Sequence, residues 1–384
     1  MWRNIASNAL NMFIVALVLL SGLLTMGRQM YQAPGPLAQA VCFKVEKGAT
    51  LSAVSQGLLQ QGAISDARVF RIGANYSGQG AKLKFGSYLV DAGASMQSVV
   101  TLLTGGGAST CGEEINFIIG VAASQVILQK LDPATNRYVE VVKFDPAAGA
   151  APAEYTAAAT ATDLRWRVTL AEGVTSYNVV AALKQADFLT GEVPVVPLEG
   201  VLAPESYDVD KGSDRGTLLT QMEARQSQTL ADLWATRAEG LPYKTPQEAL
   251  IMASIVEKET GVASERKMVA SVFLNRLAQG IKLQTDPTVI YGVTKGQGIL
   301  GRGLRQSELR RETPWNTYVI AGLPATPIAN PGRLSIEAAL NPDSTAYLFF
   351  VADGTGGHAF ATTLEEHNRN VAKWRAIEAA GGGG

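Results

Sequence analysis

Between Arg3 and Arg28 the chain carries no charged residue. The 24 intervening positions include the unbroken apolar run 12–20, followed by Leu23-Leu24. At about 1.5 Å per residue a helix of that length reaches roughly 36 Å. The hydrocarbon core of a bilayer is roughly 30 Å thick, so the segment can span it with some tilt. The pattern predicts a short cytoplasmic N-terminus over 1–8, a transmembrane helix over 9–27 and a Pro/Gly-containing linker over 28–41. The simplest topology then places the large remainder outside the cytoplasm. A cleaved signal peptide is the competing reading, because Ala38-Gln39-Ala40 resembles a small-residue cleavage site. That site lies far beyond the apolar run. A buried core helix is the third reading.

Beyond the linker the pattern changes to alternation. Four segments, 43–48, 88–93, 168–173 and 207–212, alternate apolar and polar residues and end in Gly. Each is followed within two residues by Thr50, Ser95, Thr175 or Ser213-Asp214, and then by helix-like sequence. A strand, a glycine turn and a helix cap explain this order. Grouped as 43/88 and 168/207, the units predict small β-α-α-β modules. That order resembles the LysM type, which in known families binds glycan. We therefore expect a LysM-like domain over 42–107 and a second LysM-like unit near 166–220. Between them, 108–165 reads as an inserted, partly flexible segment with a few strands near 125–130 and 138–142. A disordered Gly tail is expected over 379–384.

Helical spacing is densest after residue 245. Pro246 can open a helix at no cost in hydrogen bonds, and from Ala249 to Val256 only Ser254 is polar. A helix apolar on nearly all sides is buried on nearly all sides. Glu257 follows that run and projects from the face that carries Ala253 and Ser254. A carboxyl held against apolar neighbours resists ionisation, as a general acid at neutral pH must. Glu259 points about 200° away from it at 100° per residue. One of the two is the candidate, and the other is expected to be solvated. A second helix over 264–277 follows, ended by Gly280. Then come polar and Pro-rich loops around 283–292, 316–318 and 322–332, whose amides and hydroxyls suit recognition of a sugar.

Composition narrows the chemistry. Hydrophobic residues make up 47% and charged residues 17%, with 33 Lys+Arg against 34 Asp+Glu. A net charge of -1 gives no basic stripe for nucleic acid. Cys42 and Cys111 could form one bridge in an oxidising compartment or remain two thiols, and they cannot make a four-ligand zinc site. His358 and His367 are the only histidines. No metal site, G-x-S-x-G elbow or P-loop is apparent.

With these residues assembled, the chain resembles the endolytic murein transglycosylases, the YceG-like family. The segments carrying the resemblance are 250–260, 283–292, 316–318, 322–324 and 350–360. They occur in order within 195–372, with a looser likeness over 43–107. The resemblance implies an α+β protein with an N-terminal transmembrane helix, LysM-like modules and a mixed α/β catalytic domain over 166–378. It implies an inner-membrane, single-pass protein whose periplasmic domain cuts peptidoglycan glycan strands without a cofactor or metal. Synthases of the elongation machinery would be its partners, and termination of nascent strands its role. Glu257 would be the catalytic acid. Gln284, Thr285, Asp286, Asn316, Tyr318 and Asn330 would line the cleft. Glu205 stands where the family often carries Asp, which argues against a catalytic role for it. A non-catalytic, membrane-tethered glycan-binding scaffold is the alternative. A membrane-anchored protease would need a nucleophile near His358 or His367.

Overall fold

The computed structural model describes residues 2–105, 109–161 and 163–381. It is a mixed α+β architecture that divides into two compact units. One comprises Met1–Ile115, Ile127–Lys143 and Ala151–Trp166; the other comprises Asn116–Val126, Phe144–Ala150 and Arg167–Gly384.

The chain begins with α1 (Trp2–Gln32). Its stretch Leu10–Gln32 is long and apolar enough to cross a membrane, and its most apolar part is unburied. The helix outruns the expected 9–27 because nothing before Pro34 interrupts it. There follow β1 (Val41–Val45), α2 (Leu51–Gln60), α3 (Ala67–Tyr76), β2 (Gly86–Val90) and α4 (Met96–Thr104). β1 and β2 pair antiparallel, with Phe43 opposite Tyr88. Phe43, Leu58, Phe70, Tyr88 and Val99 share one buried core. The β-α-α-β order expected over 42–107 is thus present. Cys42 on β1 is bridged to Cys111, with 5.8 Å between the Cα atoms.

The segment 108–165 carries β3 (Glu113–Ile119), β4 (Ser124–Asp132), β5 (Arg137–Phe144) and the short α5 (Ala153–Ala158). Next come β6 (Arg165–Leu170), α6 (Ser176–Gln185), β7 (Ser206–Val209) and α7 (Arg215–Ala235). One five-stranded sheet has the order β5-β4-β3-β6-β7. Here a second β-α-α-β module is not formed, because a single helix separates β6 from β7. The remaining connection holds Pro194, Pro197 and Pro204, which deny it a second helix. The glycine-and-cap device itself recurs four times. Gly48, Gly93, Gly173 and Gly212 all have positive φ, and Thr50, Ser95, Thr175 and Asp214 cap the helices that follow.

The rest of the chain forms α8 (Pro246–Glu259), a 3-10 turn (Ala263–Glu265), α9 (Arg266–Ala278), α10 (Asp286–Thr294), α11 (Gln306–Leu309), α12 (Arg333–Leu340), the hairpin β8 (Phe349–Ala352) and β9 (His358–Ala361), and α13 (Leu364–Gly381). Thr245 caps α8 and Pro246 opens it, as the pattern predicted. α8 packs against α7, α9, α10 and α12. Every residue from Ala249 to Val256 is buried. Met252, Ala253 and Ile255 of α8 join Phe273 of α9 and Ile336 and Leu340 of α12 in one core. Where a disordered tail was expected from 379, α13 continues through 379–381, because the two alanines there favour helix. Residues 382–384 of that tail lie outside the described residues.

Candidate active site

The end of α8 sets two acids on opposite sides of the helix. Glu257 enters a polar cluster. Its Oε2 accepts the Gly332 N–H at 3.0 Å, and its Oε1 lies 4.0 Å from the Arg266 guanidinium. Arg266 also reaches Glu172 at 3.4 Å. Gly332 lets the Glu172 carboxylate come close: a Cβ at that position would stand 1.8 Å from it and force that side chain to shift. Burial pushes the Glu172 carboxyl up and the neighbouring Glu257 adds to this, while Arg266 opposes both. The side chain of Glu257 is only 7% exposed, and Glu257 lines neither the groove beside β8 nor the cavity beside α10.

Glu259 is not solvated. It lines a groove of about 510 Å³ beside α9, α10 and β8. The reason lies on its own helix face, where Met252, Ile255 and Val256 are seven, four and three positions back and fully buried. The Thr285 hydroxyl donates to Glu259 Oε1. Burial pushes the Glu259 carboxyl up; the Thr285 hydroxyl opposes this, the Asp286 carboxylate adds to it, and His358 opposes it.

The expected cleft residues separate into two groups. Gln284, Thr285, Asp286 and Tyr318 line the same groove as Glu259. Tyr318 donates its phenol to Asp286 Oδ1 at 2.7 Å. Gln284 holds a left-handed backbone with φ 54°. Its N–H donates to the Thr317 carbonyl, and the Thr285 N–H to Thr317 Oγ1 at 3.1 Å. The turn that presents these side chains is therefore pinned from behind by Thr317. Asn316 and Asn330 stand elsewhere and are buried. Asn316 Nδ2 donates to the carbonyls of Glu308, Leu309 and Arg311. Asn330 donates to Val174 O and Ser176 Oγ and accepts the Leu202 N–H. Both amides organise loops, because buried backbone groups need such partners.

Three further residues line the groove; the sequence singled out His367 only as a partner for a protease nucleophile, and Arg276 and Phe349 not at all. Arg276 underlies the wall, donating to the carbonyls of Leu348 and Leu283 at 2.8 and 2.6 Å. Phe349 stacks on His367 with ring centroids 5.2 Å apart. Burial holds His367 below the usual imidazole range, and Arg276 adds to that. His358 lies in the β9 edge with Nδ1 2.8 Å from Glu265 Oε2. Among the described residues no group of three His, Cys, Asp or Glu side chains could hold a metal ion. A carboxyl resisting ionisation, beside an open groove lined by hydroxyl, amide and carboxylate groups, is an arrangement able to give and retake one proton.

Comparison with known proteins gives the family. Residues 43–373 match the model of the YceG-like family, and the chain belongs to that family. The endolytic murein transglycosylase of Bacillus subtilis (strain 168) is 39% identical over 180 residues, 46% of this chain and 48% of the relative. The endolytic murein transglycosylase of Streptococcus pneumoniae serotype 2 is 33% identical over 183 residues, 46% of this chain and 32% of the relative. The chain thus matches less than half the length of these curated relatives. A solved YceG-like protein from Listeria monocytogenes aligns with a TM-score of 0.45 and 26% identity, covering 86% of this chain and 99% of that one.

Proposed function

We propose that the protein is a membrane-anchored lyase that cuts peptidoglycan within its glycan strands, and that Glu259 rather than Glu257 is its acid. The observation carrying this reading is the Glu259 carboxyl, buried and held by Thr285 in a groove that also presents Gln284, Asp286 and Tyr318. In the reaction, Glu259 gives its proton to the oxygen that links N-acetylmuramic acid to N-acetylglucosamine. The bond from that oxygen to the muramic C1 breaks, leaving an oxocarbenium-like centre. The Glu259 carboxylate then takes the proton of the muramic 6-hydroxyl. That oxygen closes on C1 as a 1,6-anhydro ring. Glu259 ends protonated, as it began, and no water is consumed. One carboxyl therefore does both proton transfers, unlike the paired carboxylates of hydrolases. Asp286, fixed by the Tyr318 phenol, supplies negative charge near the developing cation.

The anchor is α1, by its length and apolarity. The Cys42–Cys111 bridge supports a domain outside the cytoplasm, since disulfides persist in oxidising compartments. The periplasmic side of an inner membrane fits both. The β-α-α-β element over 41–90 is proposed as the LysM-like part that holds glycan, and 166–378 as the catalytic part. Terminating nascent strands beside the elongation synthases is the role this activity would serve. The test is mass spectrometry of material released from purified sacculi by the full chain. Fragments ending in 1,6-anhydro-muramic acid are expected. Reducing ends, or no release, would sink the reading.

A further inference from the structure

A second cavity, of about 340 Å³, lies next to α8 and α10. It is lined by Lys258, the residue between the two acids, and by Asn178, Tyr291, Ile290, Ile299 and Ile328. The glycine-containing loop 296–303 forms part of its rim. Nothing in the proposed proton transfers uses it.

Its polar inventory is unbalanced. Among the described residues, Lys258 Nζ donates to the Gly173 carbonyl alone, at 3.3 Å. Among the described residues no carboxylate lies within ion-pair distance of it. The two acids near it are already engaged. Glu257 is bound by Gly332 and approached by Arg266. Glu199 accepts from the Ser176 N–H at 2.8 Å and from the Tyr291 phenol at 3.1 Å. Arg302, at the rim, is held by Glu308 at 2.5 Å. Asn178 accepts the Gly298 N–H through Oδ1 at 3.1 Å, and among the described residues its Nδ2 donates to none. The hydroxyls of Thr175 and Thr294 donate to backbone carbonyls. What remains unused in the cavity is donor capacity: the ammonium and an amide N–H₂ beside aliphatic walls. Burial pushes the Lys258 amine down, while Glu257 and Glu199 draw it back up. An anion delivered to the cavity would complete this set.

We propose that this cavity binds a carboxylate on the short peptide arm of the glycan strand, with Lys258 and Asn178 gripping the carboxylate and Ile290, Ile299 and Ile328 packing on the adjoining aliphatic carbons. This deepens the transglycosylase reading and rests on it. Murein strands carry short peptides with free carboxylates on their muramic residues. Lys258 immediately precedes Glu259, and α10 begins with Asp286 and Pro287, the first lining the Glu259 groove and the second this cavity. A peptide seated here would set the register of the strand against Glu259.

The test uses the full chain in detergent, titrated with L-alanyl-D-glutamate and, separately, with the diamide of the same dipeptide. Wild type should bind the diacid at least about tenfold more tightly, a difference of roughly 1.4 kcal/mol. Lys258→Met should abolish that preference, and Lys258→Arg should keep it. Equal binding of diacid and diamide by wild type, or an unchanged preference in Lys258→Met, overturns the proposal. If Lys258→Met does not melt cooperatively, Asn178→Leu reads the same contrast and should weaken it. Release of anhydro ends from sacculi is scored in parallel. Failure there sinks the transglycosylase reading, while the diacid contrast still decides the cavity.

Discussion

Glu257 and Glu259 stand two residues apart on α8, yet they belong to regions that use their polar groups differently. Around Glu257, the Gly332 amide donates to one carboxylate oxygen, and Arg266 stands 4.0 Å from the other while reaching Glu172. That region ties α8 to neighbouring loops. Around Glu259, polar side chains face open volume, and one hydroxyl holds the carboxyl. A buried acid held by a backbone amide beside a cation ties a fold together. A buried acid with a groove in front of it can exchange a proton with something that enters. The difference is one of access, since both side chains are largely removed from solvent.

Four substitutions put this contrast to the test. The largest effect is expected from Glu259→Gln, which should lower release of anhydro-muropeptides from sacculi by about 10²–10⁴-fold, the usual yield of a positioned acid–base group. Glu257→Gln should instead act on stability. It removes a charged neighbour from Arg266, whose side chain is 8% exposed, and should cost roughly 1–3 kcal/mol in denaturant unfolding. Activity per folded molecule should stay within about tenfold, or 1.4 kcal/mol of barrier. The reverse pattern, with Glu257→Gln dead and Glu259→Gln active, would return the acid to Glu257. Tyr318→Phe deletes the donor to Asp286 and should raise the barrier by about 0.5–1.5 kcal/mol, read as a fall in kcat/KM. Thr285→Val should move the pH profile. The Thr285 hydroxyl lowers the Glu259 carboxyl, so its removal raises it further. Activity that requires the protonated acid is lost as pH rises through its pKa, so the alkaline limb should shift upward.

The same raised carboxyl predicts a stability effect. A carboxyl that binds its proton more tightly when folded destabilises the fold as pH climbs above its unfolded value. Glu259→Gln should therefore melt higher than wild type near neutral pH. The two should converge in acid, below the ordinary glutamate range. Equal melting curves at pH 7 would remove burial as the cause of the shift.

Local pattern carried the fold a long way. The cap at Thr245, the start at Pro246 and the buried face of α8 were all readable from spacing. So were the four glycine-and-cap turns. Those features depend on neighbours within a few residues. The site was half legible. Gln284, Thr285, Asp286 and Tyr318 were named and stand together, but Asn316 and Asn330 serve backbone carbonyls. An amide in a loop looks the same in sequence whether it faces a ligand or a neighbouring turn. The burial of Glu259 was missed for a related reason. Ala253 and Ser254 precede Glu257, and the bulkier Ile255 and Val256 precede Glu259, so the chain did contain a hint. The groove itself is built by Thr285, 26 positions on, and by Phe350 of β8. The pairing of Cys42 with Cys111 likewise depends on geometry no spacing reveals.

Gln284 leaves one consequence. A side chain other than glycine on a left-handed backbone is held there at a cost of order 1 kcal/mol. Substitutions at this position would therefore separate shape from chemistry. Glycine would ease the main chain and delete the amide, and asparagine would retain both the carboxamide and tolerance of that conformation. A branched residue such as valine would push the turn out of line and carry Thr285 with it. Ranking the three by release of anhydro-muropeptides would report how much of the proposed activity resides in a single bend of the polypeptide.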